Sequence, residues 1–131
     1  AGTPEWEEVY RKMVKAHLDI VLASVPRLYW LGLPVVRSAA YNEKIQYLNA
    51  VHASIAEEYD SKKLIKISLK SFVEQYGTGY IGAIRPEGKA WIPLMQSDGI
   101  HYTIEGGEYL MKEFILRLHR DYVFETPTFS H

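Results

Sequence analysis

The sequence predicts an α+β fold with a helical N-terminal half, a three-stranded antiparallel β-meander and a C-terminal helix. Three observations support this prediction. Apolar residues recur at helical spacing to about residue 76, the spacing changes to two beyond Gly79, and helical spacing returns after Gly107. A chain of 131 residues is long enough to bury a core without disulfides. We therefore expect residues 1–131 to form a single α+β domain.

Two long helices are predicted in the N-terminal half. The first begins at Thr3, because Thr3 can cap it and Pro4 suits its first turn, and Pro26 ends it near Val25. The second runs from about Tyr41 to Tyr59, with Ser38 or Asn42 as its cap and apolar residues in steps of three and four. Between the helices, residues 26–37 are interpreted as an apolar connector.

The segment after the second helix fits two structures. From Leu64 to Leu69, apolar residues alternate with Lys and Ser as in a strand, yet they also belong to a longer helical stripe. We favour a third helix, at least from Leu69 to Tyr76.

Three strands and a last helix are predicted after Gly79. The sequences RPEG and QSDG have the residues of tight turns, and Pro93 suits an edge or a bulge better than a central strand. The tail YVFETPTF is a candidate edge strand. The predicted elements are strands 79–84, 89–95 and 100–105, followed by a helix over 108–122.

Composition excludes some classes of function. Fifteen basic and sixteen acidic residues argue against broad polyanion binding, and the absence of cysteine excludes disulfides and Cys-ligated zinc. Residues 20–36 are apolar but contain two prolines and an arginine, so we interpret them as core or interface rather than as a membrane span. No signal peptide is visible, and a cytoplasmic location is the default expectation.

Gly77, Gly79 and Gly82 have the spacing G-x-G-x-x-G that is typical of dinucleotide sites. Such a site needs a strand before the glycines and a helix after them, whereas the sequence predicts a helix before and a hairpin after. We therefore predict that this segment binds no nucleotide, and we expect no cofactor.

Two weak candidate sites involve histidines. His17 and His52 lie in the apolar stripes of the first two helices, where they could ligate a metal or, as we favour, be hydrogen-bonded core residues. His101, Tyr102 and Glu105 lie on or beside the last predicted strand, with Asp98 in the turn before it. These side chains could perform general acid–base catalysis, but no nucleophile accompanies them.

A lysine cluster lies on the polar side of the predicted third helix. With the hairpin that follows, the arrangement resembles a helix-plus-wing DNA reader, and a solvated lysine face is the ordinary alternative. Nucleic acid is therefore a possible partner that we do not favour. The cluster comprises Lys62, Lys63, Lys66 and Lys70.

The connector between the prolines is rich in large apolar side chains. It either folds over the core as a lid or forms a protein contact, since aromatic residues are enriched at interfaces. From the weak sites and this segment we expect a non-enzymatic protein-binding or assembly module, with a protein partner or as a homo-oligomer. The alternatives are the DNA-binding protein and a small enzyme that uses His101. The predicted contact residues are Leu28, Tyr29, Trp30, Leu31 and Leu33.

Overall fold

The computed structural model describes residues 2–121, and its fold belongs to the predicted α+β class. Within these residues the chain forms four α-helices, one 3₁₀ turn and four short strands. The described residues divide after Tyr80 into two compact units, and the single domain expected from the sequence remains a prediction. The elements in order are α1 (Pro4–Ser24), β1 (Leu28–Leu31), α2 (Ala39–Ala56), β2 (Leu64–Ile67), α3 (Leu69–Val73), the 3₁₀ turn (Glu74–Tyr76), β3 (Ala83–Ile84), β4 (Ile92–Pro93) and α4 (Ile104–Asp121).

The two long helices begin as predicted. Thr3 Oγ1 accepts the backbone N–H of Trp6 at 3.2 Å, and Pro4 occupies the first position of α1. Ser38 Oγ accepts the N–H of Tyr41 at 3.4 Å and caps α2. Both helices pack around a small core of Leu18, Val51, Ile55 and Leu64.

The interpretation of residues 26–37 as a simple connector is wrong, because Leu28–Leu31 forms β1. β1 pairs in parallel with β2, with Leu28 opposite Leu64 and Leu31 opposite Ile67. The strand alternative is therefore correct for Leu64–Ile67, and helix begins only at Leu69. A parallel pair joined by a helix is a βαβ unit. In a two-stranded pair neither strand is central, so the prolines at positions 26 and 34, on either side of β1, are tolerated.

The three-stranded meander is also wrong. β3 and β4 form an antiparallel pair of two residues each, with Ala83 opposite Pro93 and Ile84 opposite Ile92. In place of a third strand there is a single bridge between Met95 and Tyr102, because helix α4 already begins at Ile104.

Among the described residues, no helix has the length and apolar character needed to cross a membrane. The candidate edge strand YVFETPTF lies outside the described residues.

Candidate functional site

Residues 94–103 form a tight loop held by its own backbone. The N–H of Gln96 donates to the carbonyl of His101 at 2.7 Å, and the N–H of Gly99 donates to the carbonyl of Gln96 at 2.9 Å. Gly99 has a φ of 71°, a left-handed backbone conformation that glycine adopts more easily than residues with a Cβ. These hydrogen bonds fix the backbone on both sides of the turn Gln96–Gly99, so side chains in the loop start from well-defined positions.

The start of α4 fastens the same loop to β4. The N–H of Thr103 donates to the carbonyl of Leu94 at 3.0 Å, and Thr103 Oγ1 accepts the N–H of Gly106 at 2.8 Å. The Thr103 hydroxyl in turn donates to the carbonyl of Pro93. A Cβ on Gly106 would lie 2.8 Å from Leu94 Cα, so the helix rests directly on the backbone of the preceding strand. Only glycine permits this approach.

Asp98 and His101 form a hydrogen-bonded pair in this loop. His101 Nδ1 lies 2.7 Å from Asp98 Oδ2. The other carboxylate oxygen, Oδ1, accepts the backbone N–H groups of Ile100 at 2.8 Å and His101 at 3.1 Å. Hydrogen bonding from the His101 side chain, followed by these two backbone groups, lowers the pKa of Asp98 to about 2. Asp98 is therefore ionised at neutral pH.

The ionised carboxylate determines what the imidazole can do. Since Asp98 accepts at Nδ1, Nδ1 of the neutral ring carries the proton and Nε2 keeps its lone pair. The His101 side chain is 70% exposed, and no side chain among residues 2–121 makes a hydrogen bond with Nε2. An oriented imidazole with an open Nε2 has the geometry of a general base.

The structure rearranges the predicted catalytic set. His101 and Tyr102 lie in the loop rather than along a strand, and Glu105 lies in the first turn of α4. Burial raises the pKa of Tyr102 to about 12, so its phenol stays protonated at neutral pH. His101 is instead paired with Asp98, which the sequence places only in a turn. The spacing of three residues within QSDGIH is the signal that could have identified the pair.

The two histidines of the long helices occupy different environments. His52 is buried, and its Nε2 lies 2.7 Å from the hydroxyl oxygen of Tyr10, within hydrogen-bond distance. His17 is exposed, with Nδ1 2.8 Å from the carbonyl of Met13 one turn earlier, so its expected place in the core is wrong. In the part of the chain that the structure describes, no group of three or more His, Asp or Glu side chains is arranged to hold a metal ion.

The four candidate lysines do not share one helix. Lys62 and Lys63 precede β2, Lys66 lies within β2, and Lys70 lies in the five-residue helix α3. Lys66 Nζ lies 5.2 Å from the centre of the Trp30 ring. The helical premise of the DNA-binding alternative is therefore wrong, while DNA binding itself stays a prediction.

The predicted contact segment is a half-buried strand. Trp30 packs against the core of the first unit, and its ring centre lies 4.6 Å from that of His52. This packing favours the lid interpretation for Trp30. The hydroxyl oxygen of Tyr29 is also buried. A protein contact through Leu28–Leu33 stays a prediction.

The glycines of the G-x-G-x-x-G sequence connect other elements. Gly77 follows the 3₁₀ turn, and Gly82 directly precedes β3. The strand-to-helix context of a dinucleotide site is absent from this described segment, and the lack of nucleotide binding stays a prediction.

Residues 1–117 match the protein family described as "Protein of unknown function (DUF459)". No curated protein matches the sequence. The family description names no activity.

Proposed function

We propose that this chain, which belongs to the DUF459 family, is a hydrolase in which Asp98 and His101 act together on an ester bond. The observation that carries the proposal is the 2.7 Å hydrogen bond from His101 Nδ1 to an ionised Asp98, which leaves Nε2 open. The pair thus has the geometry of the carboxylate and histidine of a catalytic triad. It develops the alternative of a small enzyme that uses His101.

The proposed reaction needs one proton to move twice. His101 Nε2 takes the proton of an attacking O–H group as its oxygen forms a bond to the ester carbonyl carbon. The same proton then passes from Nε2 to the leaving oxygen as the C–O bond breaks. Asp98 stays ionised throughout and stabilises the imidazolium that forms between the two steps. The attacking group is water, or a hydroxyl whose new ester is then hydrolysed by water through the same two proton transfers.

An ordinary surface ion pair is the competing interpretation. The hydrogen bonds of Asp98 Oδ1 to the backbone of Ile100 and His101 are those of a common turn. They do not require an imidazole at position 101, because backbone N–H groups are present in any residue except proline. The remaining oxygen, Oδ2, is nevertheless used to orient the ring. That second use of the carboxylate supports catalysis over a purely structural turn.

The proposal is tested by hydrolysis of p-nitrophenyl acetate. We expect His101→Gln to lower kcat/KM by about a hundredfold or more, and Asp98→Asn to lower it substantially because the imidazole loses its orienting charge. His17→Gln is the matched control, since His17 is also an exposed histidine and lies outside the loop.

The control separates catalysis from ordinary imidazole reactivity. Equal rates in wild type and His101→Gln, or equal losses in His101→Gln and His17→Gln, would contradict the proposal. Circular dichroism of each variant shows whether the fold is retained.

A protein-binding or assembly role is the second candidate. Helix α1 leaves Val9, Met13 and Ile20 exposed at 67%, 52% and 70%. Their spacing of four and seven places them on one face of the helix, and such a face is typical of a contact surface. Met13→Glu should weaken self-association or partner capture in light scattering, whereas Lys12→Glu, beside it on α1, should not. Unchanged association in Met13→Glu would remove the support that α1 gives.

A further inference from the structure

A pocket lies at the carboxyl ends of the parallel strands β1 and β2. Gly32 directly follows β1, Ser68 directly follows β2, and the N–H of Gly32 donates to the carbonyl of Ile67 at 2.8 Å. Ligands of open parallel sheets bind beyond the carboxyl ends of the strands. The pocket has a volume of about 320 Å³, within the range of small-molecule sites.

The lining of this pocket is positively charged. It contains two lysines and no acidic residue among the described residues, together with amide and hydroxyl groups. Small apolar side chains of α2 complete the wall. The residues that bear on binding are Gly32, Gln46, Asn49, Lys66, Ser68 and Lys70.

Lys66 is the central feature, because it is a half-buried cation without a carboxylate partner in the part of the chain that is described. Its ammonium group lies over the Trp30 ring at 5.2 Å. Burial lowers the pKa of Lys66, so the charge is held in surroundings that disfavour it. An anion in the pocket would supply the missing opposite charge.

The Asn49 side chain in the pocket lining is held by hydrogen bonds to the backbone. Asn49 Oδ1 accepts the N–H of Leu33 at 2.8 Å, and Asn49 Nδ2 donates to the carbonyl of Leu33 at 3.0 Å. Because both polar atoms of the Asn49 amide are bonded to the backbone of Leu33, this side chain keeps a fixed position in the pocket lining. A Cβ on Gly32 would lie 3.2 Å from both Asn49 Oδ1 and Lys66 Nζ. Glycine at this position therefore leaves space beside the lysine.

We propose that this pocket binds the anionic group of a small molecule, a carboxylate or a phosphate, with Lys66 as the principal charge and Lys70 as a second. The absence of acidic residues from the lining and the small apolar walls favour a compact anion with a short apolar part. The proposal is independent of the hydrolase proposal, because Asp98 and His101 belong to the other unit.

The test is an NMR titration of the full chain with butyrate and, separately, with inorganic phosphate at constant ionic strength. We expect saturable shifts of the backbone signals of Gly32, Asn49 and Lys66, with a Kd of about 1 to 10 mM for the preferred anion. Saturation by butyrate alone assigns the site to carboxylates, and saturation by phosphate alone assigns it to phosphates.

Variants identify the charge responsible. Lys66→Met should weaken binding about tenfold or more, whereas Lys63→Gln, an exposed lysine outside the lining, should change it less than about twofold. Gly32→Ala is a second variant that keeps every charge. Its Cβ would enter the space beside Lys66 Nζ, so we expect it to weaken binding as well.

The His52 imidazole gives an additional readout in the wild type. Burial, and after it the nearby charge of Lys66, lowers the pKa of His52. An anion bound at Lys66 should raise that pKa by offsetting the lysine charge. The proposal would be overturned if neither anion produced saturable shifts. It would also be overturned if the shifts were spread over exposed lysines and Lys66→Met bound the anion as tightly as wild type.

Discussion

Gly106→Ala provides the strongest test of how α4 fixes the candidate site. The added Cβ would lie 2.8 Å from Leu94 Cα and 2.9 Å from the carbonyl oxygens of Leu94 and Pro93. All three neighbours are backbone atoms, so no side chain can turn away to make room. The helix or the strand has to move instead.

The expected magnitude follows from two opposing effects. Overpacking a closely packed contact costs about 1 to 3 kcal/mol, and backbone neighbours place this contact at the upper end. Alanine in place of glycine within a helix raises the free energy of unfolding by about 1 kcal/mol, because alanine has the higher helix propensity. We therefore expect Gly106→Ala to lower the free energy of unfolding by about 2 kcal/mol.

Gly107→Ala is the matched control, because the same substitution one residue later meets no atom within 4 Å. It should raise the free energy of unfolding by up to about 1 kcal/mol through helix propensity alone. Urea denaturation of the two variants and the wild type measures both changes. If Gly106→Ala were as stable as Gly107→Ala, the close approach of α4 to the Pro93–Leu94 backbone would be refuted.

Three further predictions concern charge and packing. Asp98 should titrate at about pH 2. The stability that its ionised form contributes is therefore complete above its ordinary pKa of 3.8 and is lost as the pH falls through about 2. NMR of the carboxyl group measures the titration, and a midpoint near 3.8 would contradict the pairing with His101. Lys66→Met should be at least as stable as wild type at neutral pH, because folding lowers the lysine pKa and so disfavours its charged form. As the pH rises toward 10.5 the lysine loses its charge in both states, and urea denaturation should show the advantage of the variant shrinking. Trp30→Ala should lower the free energy of unfolding by about 3 kcal/mol, and unchanged stability with weaker association in light scattering would instead support the contact through Leu28–Leu33.

Helices were predictable from the sequence where local signals were strong. Thr3 with Pro4, and Ser38 ahead of an apolar stripe, define helix starts through interactions within four residues of the cap. The strand pair β1–β2 was not predictable in the same way. The pair places residues 36 positions apart opposite each other, as with Leu28 and Leu64, and no local pattern records such a partner.

The start of α4 shows why the C-terminal half was mispredicted. Gly106 and Gly107 resemble a break between a strand and a helix, since glycine lowers helix propensity. In the structure Gly106 is required inside the helix, where any Cβ would meet the backbone of Leu94. Tertiary packing therefore overrides the local preference, and the predicted third strand is replaced by the loop and the first turn of α4.

The same replacement creates the candidate site. Along a strand, His101 would have pointed to the opposite face from Tyr102. Because Thr103 caps a helix instead, the chain from Gln96 to Thr103 forms a loop. Within this loop the carboxylate of Asp98 contacts the imidazole of His101, three residues later in the chain. The loop that carries His101 is thus anchored at its end, through Thr103, to both β4 and α4. A displacement of α4 by Gly106→Ala should lower ester hydrolysis by more than its loss of stability explains, whereas Gly107→Ala should leave it unchanged.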